Sequence, residues 1–105
     1  MIIGISIEHW QAPEVVKVEN TINGLQKAVD GYFTILHWKD DIVMVIDEEA
    51  ALLNKPQNFY FITPSGAKQW IRGTAFFCRM VNDDLVSLTK DQLIEVNTYF
   101  HDKRY

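Results

Sequence analysis

Cysteine is almost missing from this chain: Cys78 is the only one in 105 residues. An internal disulfide is therefore impossible, and a reducing cytoplasm is the simplest compartment. Glycine and proline are scarce as well, at five and three positions, while 48% of residues are hydrophobic. That balance excludes collagen-like, low-complexity and disordered classes. Long apolar runs are lacking: Met1–Ile7 is interrupted by Glu8 and His9 before it reaches the length of an export signal or a membrane span. No membrane association is expected. Positive charge is in deficit, with 10 Lys and Arg against 14 Asp and Glu and a net charge of -4. The basic residues are dispersed, so direct nucleic-acid binding is not expected either.

Familiar chemical motifs are absent too. There is no calcium-loop spacing, no phosphate-cradling glycine motif and no zinc-hydrolase helix. His9, His37 and His101 are far apart and form no close metal-ligand pattern. Neither a metal nor any other cofactor is expected. Repeats and linkers are missing, and the length suits one domain over residues 1–105.

What is present reads as alternating short strands and two helices. Ile3, Ile5 and Ile7 alternate with Gly4 and Ser6, the period of a strand with one buried face. Pro13 breaks the chain before the β-branched Val15–Val18, which pairs back as a hairpin. Asn20 or Thr21 caps a short helix carrying Ile22, Leu25 and Val29, and Gly31 stops it. Tyr32–Trp38 and Ile42–Ile46 form the clearest hairpin, turning at Lys39-Asp40-Asp41. Ala50–Asn54 reads as a loop anchored by Leu52 and Leu53. Phe59–Thr63, the turn Pro64-Ser65-Gly66 and Gln69–Ile71 make another hairpin. Thr74–Val81 follows as a buried strand ended by Asn82-Asp83-Asp84. Thr89 and Gln92 mark a capping box before a helix bearing Leu93, Val96, Asn97 and Phe100. The expected fold is α+β: a mainly antiparallel sheet of about five or six strands with both helices covering one face. A small curled barrel with helices at its edges is the alternative.

Thr21–Gln26, Val29-Asp30-Gly31-Tyr32, Asp47-Glu48-Glu49, Asn54 and Asn58, Ile71–Phe77, and Leu88-Thr89 with its helix occur in this order along the chain. Together they resemble a small family of phage and mobile-element proteins, the domain of unknown function 3846 type. The resemblance implies an accessory protein working in the cytoplasm of a host cell. It supplies no catalytic template, and the residues that carry it mostly form the fold.

The chemistry-bearing side chains point to contact rather than catalysis. Cys78 lies among Phe76, Phe77 and Met80, where burial disfavours a thiolate. Asp40, Asp41, Asp47, Glu48, Glu49, Asp83 and Asp84 fall in turns, as solvated residues or as an acidic surface facing a partner. Trp10 and Trp70 are the candidate exposed anchors, with Tyr60 beside them, whereas Trp38 is expected inside. No base, orienter and electrophilic site assembles from spacing, so an enzyme is not expected.

The leading expectation is a non-enzymatic protein-interaction module. Its partner would be a host or phage protein, with a defence nuclease, either a CRISPR effector or a restriction enzyme, as the candidate target. Two alternatives stand beside it. Trp10, Trp70, Arg72 and Gly73 would edge a pocket for a small ligand or nucleotide. A homodimer joined through a strand edge or a Trp-bearing patch would instead serve assembly.

Overall fold

A computed structural model of the chain describes residues 1–103, with side chains through residue 101. The elements run β1 (Ile2–Ile7), β2 (Glu14–Val18), α1 (Ile22–Val29), β3 (Phe33–Lys39), β4 (Ile42–Asp47), β5 (Gln57–Ile62), β6 (Lys68–Arg72), β7 (Ala75–Val81), β8 (Asp84–Val86) and α2 (Lys90–Lys103). Six strands form one sheet in the order β2-β1-β7-β4-β3, with β8 also beside β7, and β5–β6 is a separate two-stranded sheet. Every pairing is antiparallel. The α+β class and the mainly antiparallel sheet are as the sequence predicts.

The helices, however, lie on opposite faces rather than together on one. Val43, Val45, Phe76 and Cys78 point to one side, where Leu25 and Val29 of α1 meet them. Ile42, Met44, Ile46, Ala75 and Phe77 point to the other, under Phe59, Phe61 and Ile71 of the small sheet and Val96 and Phe100 of α2. The reason is visible in β4, which is apolar in both phases of its alternation through Ile46 and buried at every position. Such a strand must be covered twice.

Local chemistry fixes the ends of the elements. Thr21 Oγ1 accepts the N–H of Gly24 at 2.9 Å and caps α1. The helix stops at Asp30, which takes the left-handed conformation with φ 55°. At Gly31 a Cβ would lie 2.5 Å from the Asp47 carboxylate, so no side chain fits there. The capping box of α2 forms as expected: Thr89 N–H donates to Gln92 Oε1 at 3.0 Å, and Gln92 N–H to Thr89 Oγ1 at 3.2 Å. Asn97, expected on the apolar stripe, is exposed.

One loop reading is corrected. Leu52 and Leu53 are 81% and 57% exposed and do not anchor the middle loop; Ala50 is buried in their place. Asn82-Asp83-Asp84 ends β7 as expected, but the chain turns straight back: Asn82 and Asp83 (φ 51° and 65°) form a tight hairpin turn and Asp84 begins β8, a strand not foreseen. β8 extends the edge of β7 beyond the part that β1 occupies. Ile3 N–H donating to Ser87 Oγ at 2.8 Å and Leu88 N–H donating to Ile3 O at 2.9 Å lace the two together.

Candidate functional site

The β1–β2 connection, the small β5–β6 sheet and the C-terminal turn of α2 enclose an open groove of about 720 Å³. Trp10 stands on its rim, 79% exposed. Its backbone is left-handed at φ 63°, a conformation that bulky residues rarely take. His9 holds the loop in place. Its ring lies edge-on to the indole at 5.3 Å, and its Nδ1–H donates to the Gln57 carbonyl at 2.7 Å. Because a carbonyl only accepts, that bond fixes the Nδ1–H tautomer and leaves Nε2 free to accept.

The facing wall is a cross-strand pair. Tyr60 and Trp70 are register partners with ring centroids 5.2 Å apart, and each is 46% exposed. Lys68 Nζ sits 4.5 Å from the Tyr60 ring centroid, within cation–π reach. Strand alternation explains their position: Phe59 and Phe61 enter the core, so Tyr60 and Ile62 face out. Phe59 and Phe100, 4.7 Å apart, lie at the groove's base, with Tyr99 and His101 also lining it.

Asn58 fastens the base of this arrangement. Its Nδ2 donates to Ile7 O at 2.8 Å and Gly73 O at 2.9 Å, joining β1, β5 and the turn after β6. Its Oδ1 is buried with no hydrogen-bond partner. Gly73 (φ 75°) performs this linking role without lining the groove. Arg72 is likewise turned to structure, since its Nη1 donates to Lys55 O at 2.9 Å. The pocket edge expected from Trp10, Trp70, Arg72 and Gly73 therefore keeps its two indoles and loses the other pair.

The acidic residues do not share one surface. Pairing of Ile42 with Arg79 sets Asp40 and Asp41 at the same end of the sheet as the turn bearing Asp83 and Asp84. Pairing of Ala75 with both Ile46 and Ile7 sets Asp47, Glu48 and Glu49 at the opposite end. Asp41 accepts from Gln92 Nε2 at 2.7 Å and lies 3.7 Å from Arg79, so it braces the N-terminus of α2. Asp40, Asp83, Asp84 and Glu48 are exposed, and Glu49 is half-buried.

Asp47 is not on the surface at all. Its side chain is fully buried, with Oδ2 2.6 Å from Lys55 Nζ and Oδ1 accepting from Glu49 N–H at 2.9 Å. Lys55 also donates to Asp30 O at 2.6 Å, so the pair ties β4 to the end of α1. Burial made no claim on Asp47 in the sequence, because an acid closing an apolar strand looks the same whether it turns in or out.

Cys78 is buried as expected, and burial pushes its thiol up to about 12. Among the described residues no three of His, Cys, Asp and Glu gather as a metal-ligand group. No helix among them is long and apolar enough to cross a membrane. His9, Tyr99 and His101 were not singled out from sequence as groove residues. Tyr60 and Trp70 of the facing wall, by contrast, are among the anchors the sequence suggests.

No curated protein and no solved structure matches the chain. A family model described as a domain of unknown function (DUF3846) does match, over residues 2–101. That match covers nearly the whole fold, groove and both helices included, and the chain belongs to this family.

Proposed function

We propose that the chain is a non-enzymatic binding module that receives a protein partner against Trp10, Tyr60 and Trp70. One observation carries this reading: three large aromatic side chains, remote in sequence, are exposed around a single groove. Tryptophan and tyrosine dominate the energetics of protein interfaces because they bury much area for little lost rotamer freedom. The strained backbone at Trp10 supports it further, since strain of this kind gathers where a surface is used.

Within the phage and mobile-element setting of the resemblance, the partner is a host protein, and a defence nuclease is the candidate. Inhibition would then work through aromatic occupation of the target. Imitation of phosphates is the less favoured mode, because the exposed carboxylates are divided between the two ends of the sheet. Affinity capture from host lysate, followed by intact-complex mass measurement and nuclease assays, tests the proposal. A stable partner that is retained by the parent chain and lost by a folded Trp10→Ala/Trp70→Ala variant is the expected result. Capture that ignores both substitutions overturns it.

The groove's concavity favours a second reading, a small planar ligand held between the indoles. A thermal-shift screen over nucleotides separates the two. A saturable shift abolished by Trp70→Ala favours the ligand over the protein partner.

A further inference from the structure

The groove does more than expose rings: it runs along an unpaired strand edge. Consecutive residues of β5, from Gln57 to Ile62, all line it, although their side chains alternate between core and solvent. A cavity touches both phases of a strand when it follows the strand's backbone. The turn fixes which backbone groups are open. Thr63 N–H donates to Ala67 O at 2.8 Å, and Gly66 N–H donates to Thr63 O at 2.8 Å with Gly66 at φ 88°. This is a three-residue hairpin loop closed by a glycine bulge, which makes Thr63 and Ala67 a hydrogen-bonded pair.

Antiparallel ladders alternate, so Phe61 and Phe59 also bond to β6, whereas Tyr60 and Ile62 direct their N–H and C=O groups away from it. The close Tyr60–Trp70 ring contact agrees, since side chains approach best at non-bonded positions. Among the described residues no turn or loop backbone bonds to Tyr60 or Ile62.

We infer that β5 accepts an added strand: an extended peptide segment of a partner protein, bearing an acidic side chain, pairs with Tyr60 and Ile62 beneath Trp10. This rests on the binding-module reading above and names what the module binds. Backbone pairing supplies the affinity, and the aromatic wall takes alternate side chains. Charge selects the acid. No carboxylate is among the described residues lining the groove, and Lys68 stands over Tyr60. Although the chain is net acidic, the charge beside this wall is the Lys68 ammonium.

The test is selection of short random peptides displayed on phage against the intact chain, then fluorescence anisotropy with the synthetic winners. Enriched peptides are expected to share an acid and alternating apolar residues. N-methylation of successive peptide amides should weaken binding at every second position, by about tenfold where a bond to the edge is lost. Ile62→Pro removes an outward N–H at an edge position where proline is tolerated and should weaken binding similarly, while Ile62→Val should not. The peptide series needs no protein variant, so it decides even if Ile62→Pro misfolds.

Peptides that bind without period-two sensitivity, yet are lost in Trp10→Ala/Trp70→Ala, overturn strand addition and leave the binding module standing. Failure to enrich any peptide, or occupation of the groove by a second copy in native mass measurement, overturns strand addition too. Failure of the module itself is read separately, from partner capture that is indifferent to the two tryptophans.

Discussion

Trp10 shows how one residue can sacrifice local comfort for display. Its left-handed backbone is natural for glycine and costly for a bulky side chain, yet the indole it carries lies mostly in water. Trp10→Gly should therefore be as stable as the parent, or more stable by up to about 1 kcal/mol, in urea melts while binding is lost. Asp47 is the opposite case, a buried carboxylate whose partner Lys55 is also committed to the end of α1. Asp47→Ala strands that ammonium and should cost about 3–5 kcal/mol by the same measurement.

Cys78 gives a pH signature. Its folded value near 12 lies above the ordinary 9.0, so the fold favours the neutral thiol. Its contribution is intact below about 9 and is lost as pH rises from there toward 12, because only the unfolded chain releases the proton early. Stability should fall across that window and fall less in Cys78→Ala. In the native protein at neutral pH, a thiol reagent should label Cys78 only after denaturant is added. Residue types alone announced this inert cysteine, whereas the inward turn of Asp47 depended on a lysine eight positions later.

Among the elements, α2 was the most legible, because its capping box is a local pattern and forms as written. Thr89→Ala should cost about 1 kcal/mol in thermal or chemical unfolding. The hairpins around Asp40 and Gly66 were legible for the same reason: their turn residues lie between β-rich runs. What escaped was longer-ranged. The apolar run Ile42–Ile46 signals a strand buried on two sides, but periodicity cannot say which helix takes which side. β8 escaped because three residues are too short to show a period and its turn lacks glycine. Leu52 and Leu53 misled by type, since apolar residues in a loop need not be covered.

At the scale of the whole molecule, the groove is assembled from loop 9–13, the β5–β6 sheet and residues 99–101, segments brought together only by the final fold. Trp10 and Trp70 were legible as candidates through their neighbouring turns. Their convergence was not, and neither was the separation of the acidic turns, because both follow from strand order. The two-sided cover of the sheet also explains how a small chain can leave so much aromatic surface outside: the core is already filled by Phe76, Phe77 and Phe100.

The central claim is that the aromatic groove, and not the acidic turns, makes the contact. Titration calorimetry of the captured partner against two variants tests it most directly. Trp10→Ala/Trp70→Ala should weaken binding by about a hundredfold or more, and Asp83→Asn/Asp84→Asn should change it by less than about threefold. The reverse order, with the acid variant crippled and the tryptophan variant unaffected, would contradict the account.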